Sequence, residues 1–284
     1  MQGAWKVEAG SSIKLQDYDP NYVDASSDPA LAKAELNQLG QELSELQELL
    51  AAAHHQSLLV VLQGMDTSGK ADTIHQVLSR VNPQGCEVRS FKVPSPRELD
   101  HDFLWRVHRV TPGKGVIGIF NRSHYEDVLA VRVHTLVPQE VWSGRYAAIN
   151  DFERLLTQND TILLKFFLYM SSDEQERRLL AQQNNHLDAW KLSSADWAER
   201  KYWDAYQDAY QDVLSQCSTQ EAPWYIVPAN HKWTRNVLVA RTLVSTLRPY
   251  KQEWEAQLVE RGERELTLLA QLGHLGQHAN PKKK

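Results

Sequence analysis

Cysteine is scarce in this chain: Cys86 and Cys217 are the only two among 284 residues. Two thiols cannot supply a disulfide framework, so the expected setting is a reducing cytoplasm, with both packed as small apolar groups. Long apolar runs are missing as well. No stretch approaches the roughly 20 residues a membrane helix needs, and Met1-Gln-Gly-Ala-Trp5-Lys-Val-Glu8 lacks the apolar centre of a leader. A soluble protein with no membrane partner is expected. Excess positive charge is also absent. The formal net charge of −5 argues against a general nucleic-acid coat. No internal repeat is visible, and no histidine pair falls at metal-ligand spacing, so the histidines read as structural.

One absence is local. No acidic residue occurs from Ala222 to Gln252, where Lys232, Arg235, Arg241, Arg248 and Lys251 are all basic. Between Arg89 and Arg132 stand Lys92, Arg97, Arg106, Arg109, Lys114 and Arg122. An acidic protein with locally basic segments suits a small or linear anion held in a confined groove. Ordinary solvated faces are the plainer reading of many of these residues. With 42% hydrophobic residues in 32.5 kDa, the chain can bury a full core as one large α/β domain.

What is present is most specific from Leu58 to Lys70. The apolar run Leu58-Leu-Val-Val-Leu62 reads as a buried strand, and Gln63-Gly64-Met65-Asp66-Thr67-Ser68-Gly69-Lys70 follows it into a helical pattern. This is the layout of a phosphate-cradling loop. Gly64 and Gly69 allow the backbone to turn its N–H groups inward, Lys70 adds a point charge, and the next helix offers its positive end. Where a Ser or Thr hydroxyl normally follows the lysine to hold magnesium, the chain has Ala71. Asp66, inside the loop, is the expected replacement ligand. A plain strand-to-helix turn would carry the same spelling.

Residues 1–28 lack periodicity and read as an arm over the domain. From Asp28-Pro29 to about His54, Leu31, Leu36, Leu39, Leu43, Leu46 and Leu49-Leu50 recur at helical spacing, with Asp28 as cap and Pro29 in the first turn. Strands are expected at 57–63, 87–91, 115–120, 161–170 and 224–227. Helices are expected at 70–81, 97–107 (with Leu99, Phe103 and Leu104 inward), 139–158, 196–214, 231–247 and 252–272. Ser171-Ser-Asp-Glu174 spells a capping box. This alternation predicts an α/β fold with a parallel sheet, helices on both faces, and the ligand at the strand C-terminal ends. The domain is placed at 29–250, with a lid at about 178–200, where 184–193 lose periodicity. Residues 251–284 form a terminal helix and basic tail. Trp105, Trp142, Trp203 and Trp233 sit at apolar helix positions and read as core, while Trp190 and Trp197 flank the lid.

After the third long strand comes Asn121-Arg122-Ser123-His124-Tyr125-Glu126-Asp127-Val-Leu129. An arginine and two acids just past a buried strand lie where P-loop proteins place a second metal-binding carboxylate. Arg122 could clamp a phosphate bidentately, and Asp127 or Glu126 could hold magnesium. A helix start with acids near its positive end reads the same way.

Gly64–Lys70, Val81-Asn-Pro-Gln-Gly85, His101-Asp-Phe-Leu-Trp-Arg-Val-His108, Phe120–Leu129, Trp190-Lys191 and Ala222-Pro-Trp-Tyr-Ile-Val-Pro-Ala229 together resemble the second family of polyphosphate kinases, over about residues 5–250. The resemblance implies a thymidylate-kinase-like P-loop kinase fold with a helical lid. It also implies transfer of phosphate between inorganic polyphosphate and nucleotides with Mg2+, and Asn-Arg-Ser-His-Tyr-Glu-Asp resembles the branch acting on both AMP and ADP, with ATP as a product. By the same resemblance Asp66 and Asp127 organise magnesium and the acceptor phosphate, Lys70 and Arg122 neutralise the moving phosphoryl, and Arg178 with Lys191 belongs to the lid. Glu126 helps select the acceptor. Gly64, Met65, Thr67, Ser68, Gly69, Asn121 and Tyr125 complete the phosphate and nucleotide contacts, and Arg106 and Arg132 are candidates for a polyphosphate track. A homo-oligomer, dimer or tetramer, is implied too. Three departures stand out: Ala71-Asp72 where the family has Asp-Gly, Gln182 where a second lid arginine is usual, and Asn184-Asn185-His186 in place of Asp-Asn-Pro.

The chemistry suits these residues. Polyphosphate and a nucleotide phosphate repel each other, so positioning and charge neutralisation carry most of the catalysis. An ATP-dependent nucleoside monophosphate kinase would share loop, lid and magnesium, and a non-catalytic binder or a nucleic-acid contact through the basic C-terminal helices are the further alternatives.

Overall fold

The computed structural model describes residues 4–23, 28–185 and 194–278. Among these, six strands form one sheet: β1 (Trp5–Lys6), β2 (Ser57–Gln63), β3 (Cys86–Ser90), β4 (Ile117–Asn121), β5 (Thr161–Tyr169) and β6 (Trp224–Pro228). Their lateral order is β1-β6-β5-β2-β4-β3. The five strands from β2 to β6 pair in parallel, as the strand–helix alternation predicts. The short β1 is antiparallel to β6, with Trp5 opposite Ile226. Sequence periodicity could not show it, because two residues carry no period.

The helices are α1 (Pro29–Ala53), α2 (Lys70–Val77), α3 (Pro96–Leu99), α4 (Trp105–His108), α5 (Ala130–Val133), α6 (Gln139–Gln158), α7 (Ser172–Gln183), α8 (Ser194–Glu199), α9 (Trp203–Gln216), α10 (Lys232–Leu247) and α11 (Lys251–His278). None of the described helices is long and apolar enough to cross a membrane.

All seven residues of β2 are buried, so its side chains need cover on both sides. Leu59 and Val61 pack in a core with Ile149 and Phe152 of α6 and Val213 and Leu214 of α9. Leu58, Val60 and Leu62 face the other core, with Leu43, Leu46 and Leu50 of α1 and Leu238, Leu243 and Leu247 of α10. Each leucine so buried stabilises by roughly 1.5–3 kcal/mol. Helix α1 starts as the sequence predicts: Asp28 Oδ1 accepts from Ala30 N at 2.8 Å, and Pro29 is the first helical residue.

Local expectations fail in three places. The helix expected over 97–107 is two single turns, α3 and α4, and Leu99 is 70% exposed rather than inward. Asp102 interrupts it, because its Oδ1 accepts from Leu104 N at 2.9 Å and starts a new turn. The capping box at α7 forms by half. Ser171 Oγ accepts from Glu174 N at 3.3 Å, but Glu174 turns its carboxylate to Arg177 and Arg178. The tryptophans buried at the centre are Trp224 and Trp254, whereas Trp105, Trp142, Trp203 and Trp233 are only partly buried. An indole on a short amphipathic helix reaches the core with its edge alone.

The sheet order has one consequence for function. Strands β4, β2 and β5 are neighbours, so Asn121-Arg122, Gln63-Gly64 and Tyr169-Met170 emerge side by side at the C-terminal edge.

Candidate active site

The chain leaves β2 at Gly64 with φ +151°. A Cβ there would lie 2.8 Å from both Leu168 O and Ser68 Oγ, so glycine is required. Gly69, at φ +97°, caps the start of α2. A side chain on it would meet Arg235 Nη1 at 1.8 Å.

All six carbonyls from Gly64 to Gly69 are tied to donors. Lys70 Nζ donates to Gly64 O at 2.7 Å and Met65 O at 3.0 Å. Gln175 Nε2 reaches Asp66 O at 3.1 Å. Arg178 Nη1 donates to Thr67 O at 2.9 Å and Ser68 O at 3.2 Å. Arg235 Nη1 donates to Ser68 O at 3.0 Å, and Thr73 N to Gly69 O at 2.8 Å. Two loop amides are also occupied, Gly64 N on Tyr210 OH and Ser68 N on Met65 O, each at 3.1 Å. The amides of Met65, Asp66, Thr67 and Gly69 have no protein acceptor among the described residues. Carbonyls engaged and amides left over make an anion cradle.

Charge gathers at its mouth. Arg122, with φ +60° just past β4, donates Nη2 to Asp66 and Nη1 to Glu126 Oε2 at 3.2 Å. Gln63 Nε2 holds the other oxygen of Glu126 at 3.0 Å. Burial works against the charge of Arg122, but Glu126 and Asp66 outweigh it and hold its pKa above the ordinary value. Lys70 is buried, and burial first, then Arg122, lowers it to about 8 against the pull of Asp66 and Glu126. Asp66, Lys70, Arg122 and Glu126 therefore meet at the loop, as expected of residues from two separate strand ends.

Asp127 lies one residue further along the same turn. Its Oδ1 is 3.4 Å from Arg145 Nη1 and its Oδ2 is 3.5 Å from Arg106 Nη2. Burial raises its pKa, with Arg106 and Arg145 opposing. Its Oδ2 is buried without a hydrogen-bond partner, as are Thr67 Oγ1 and Ser68 Oγ. No group of three His, Cys, Asp or Glu side chains gathers among the described residues.

Two further expected site residues, Tyr125 and Arg132, are held by side chains of α6, β5 and α9. Tyr125, expected at phosphate or nucleotide, is wholly buried on the core side: its hydroxyl donates to Glu153 Oε1 at 2.8 Å and accepts from Lys165 Nζ at 3.0 Å. Neighbours on a tight turn point to opposite sides, so Glu126 faces the loop while Tyr125 faces α6. Arg132 pairs with Asp212 of α9 at 2.5 Å and lies over Trp142 at 4.7 Å. Asn121 ends β4, its carbonyl accepting from Phe91 N at 3.0 Å. Arg178 spends its remaining donors on Glu174 at 2.6 Å and on Ala229 O and Asn230 O at 2.6 and 2.9 Å. It thus fastens the loop to the end of β6. Lys191, Trp190 and His186 lie outside the described residues.

Gln63, Arg145, Gln175, Arg235 and Tyr210 were not expected here. Arg235 could be seen only as one cation of the acid-free stretch 222–252, and Gln175 and Tyr210 carry no local signal.

A glycine-bounded loop with engaged carbonyls, a buried lysine and an arginine from the adjacent strand define a phosphoryl-transfer protein of the P-loop class. The family profile Polyphosphate kinase 2 (PPK2) matches residues 26–255. The chain belongs to this family. It is 48% identical over 244 residues to the AMP/ADP-polyphosphate phosphotransferase of Meiothermus ruber, covering 86% of this chain and 91% of that one. It is 43% identical to the ADP-polyphosphate phosphotransferase of Rhodopseudomonas palustris, covering 94% and 97%. The crystal structure of polyphosphate kinase 2 from Arthrobacter aurescens TC1 superposes with a TM-score of 0.84 at 40% identity, over 88% of this chain and 92% of that one.

Proposed function

We propose that this protein transfers phosphate reversibly from inorganic polyphosphate to AMP and ADP. The observation that carries it is the convergence of Lys70 and Arg122 on one loop whose carbonyls are all engaged. Two polyanions meet only where cations offset their repulsion, and the loop amides with these two side chains supply that at a single point. The relatives' names, AMP/ADP- and ADP-polyphosphate phosphotransferase, support the choice of donor and acceptor.

Lys70 gives up its bonds to Gly64 O and Met65 O to reach a phosphoryl oxygen, and Arg122 exchanges Asp66 or Glu126 for another. Glu126, steadied by Gln63, stands beside the acceptor and selects it. Asp66 and Asp127 would hold magnesium. Asp127 Oδ2 is buried and makes no hydrogen bond, with Arg106 Nη2 at 3.5 Å as its ionic neighbour, and magnesium takes one or two carboxylates while drawing its other ligands from phosphates and water. When bound, the ion neutralises charge on the phosphoryl oxygens. Residues 178–200 act as the lid, and Arg200 is its link to the loop, donating to Gln175 Oε1 at 3.0 Å while Gln175 holds Asp66 O. A cytoplasmic homo-oligomer is part of the same proposal, supported by two free thiols and by Val259, Leu266 and Leu269, exposed at helical spacing on α11.

The test compares donors. Purified protein with magnesium, AMP and long-chain polyphosphate, without ATP, is expected to form ADP and then ATP. Turnover of AMP with ATP alone would identify an ATP-dependent nucleoside monophosphate kinase instead.

A further inference from the structure

Asp72, one of the departures from the family's usual residues, has a partner. It stands on the first turn of α2, its side chain 42% exposed, and pairs with Arg235 of α10, whose side chain is wholly buried. The three guanidinium nitrogens serve three different acceptors, with Nη2 on Asp72, Nη1 on Ser68 O at 3.0 Å, and Nε on Asn236 Oδ1 at 3.0 Å. The carboxylate that the resemblance places directly after Lys70 has thus moved one position on and found a cation.

Burying a guanidinium is unfavourable relative to an apolar side chain of the same volume, so packing alone does not account for Arg235. Burial draws it down to about 10, with Asp72 opposing. Its position is more telling. Nη1 occupies the space a Cβ on Gly69 would need, directly behind the last peptide groups of the phosphate loop. Ser68 O accepts from Arg235 Nη1 at 3.0 Å and from Arg178 Nη1 at 3.2 Å, and these two donors decide which way that peptide faces; the amides that follow it belong to Gly69 and Lys70.

We infer that Arg235 is a positioning residue for phosphoryl transfer: it holds the Ser68 carbonyl toward α10, so that the following amides face the phosphate, and Asp72 orients the guanidinium. This rests on the phosphate-loop reading given under the proposed function. A lysine at 235 would keep the charge but could not serve Ser68, Asp72 and Asn236 from three nitrogens at once.

The test uses the full chain with Arg235→Lys and Asp72→Asn, following kcat and KM for AMP with polyphosphate. Hydrogen exchange of the 64–70 peptide is followed with and without inorganic tripolyphosphate. Arg235→Lys is expected to lose at least about 30-fold in kcat with KM for AMP within about threefold. Exchange in 64–70 should quicken, and protection by tripolyphosphate should weaken, while β2, β5 and α6 exchange as before. Asp72→Asn, at a partly exposed site that keeps an acceptor for Nη2, is expected to lose about three- to tenfold in kcat with a modestly lowered melting temperature and a wild-type fold. Should Arg235→Lys fail to fold, Asp72→Asn decides. Unaltered kcat in either folded variant overturns the inference, as does a loss matched by faster exchange throughout the core. Because tripolyphosphate protection is read without turnover, a wild-type protein that uses only ATP would defeat the proposed donor while leaving the role of Arg235 still decided.

Discussion

Arg122 donates to the carboxylate of Asp66 across the mouth of the phosphate loop, joining the end of β4 to the loop that follows β2. The pair brings a cation and an acid from separate strands together at the mouth of the loop. Arg122 also holds Glu126 at 3.2 Å, so its fork spans two carboxylates. Lysine cannot span both. Arg122→Lys is therefore expected to lower kcat by at least about 10²-fold. Circular dichroism should remain that of the wild type, since the side chain is about one-third exposed. Steady-state rates with AMP and polyphosphate check this.

Lys70 supplies a pH dependence. Its pKa lies at about 8 because burial and Arg122 disfavour the ammonium. The charged form is the useful one, so kcat/KM should be level below that value and fall as pH rises through about 8. A bound polyanion favours the ammonium, so the alkaline limb of kcat should lie higher than that of kcat/KM. A kcat/KM profile flat to pH 10 would contradict the assignment of Lys70.

The turn that carries Glu126 and Asp127 is anchored from behind by a buried polar network. Lys165 on β5 lies 2.5 Å from Glu153 on α6, and Glu153 Oε1 also accepts from Tyr125 and lies 3.1 Å from His124 Nε2. Removing one partner leaves a buried charge alone, so Lys165→Met should destabilise by about 3–5 kcal/mol. Adding Glu153→Gln should recover most of this, because the amide oxygen still accepts from Tyr125. Urea unfolding of the single and double variants measures both. Burial alone would raise Glu153, but Lys165 and His124 outweigh it and hold its pKa below 4.5. Its contribution is therefore present above about pH 4.5 and lost as pH falls through the lower, folded value.

Much of this was legible in the chain itself, for physical reasons. The run Leu58–Leu62 and the glycines at 64 and 69 act locally, through burial and positive φ, so strand and loop could be placed from their own residues. Asp28 and Pro29 likewise located the start of α1. The alternation of strands with helices announced the parallel sheet, but β1 is too short to have a period, and Asp102 broke a helix by a single side-chain bond. Arg122 and Asp66 could be named as candidates, yet their contact depends on β4 lying beside β2, which no local pattern records. Gln175, Arg235 and Tyr210 grip the loop from more than a hundred residues away. Tyr125 shows the converse: it sits in the recognisable motif, but a single step along the turn sends it into the core.

The central claim is that Lys70, aided by the acids beside it, lets polyphosphate and AMP exchange a phosphoryl group at this loop. The most direct measurement is the rate of ADP formation from AMP and polyphosphate in Lys70→Met and Asp127→Asn, with no ATP added. Both are expected to fall at least about 10²-fold below wild type while retaining its circular dichroism spectrum. A rate within about threefold of wild type in either folded variant would contradict the account.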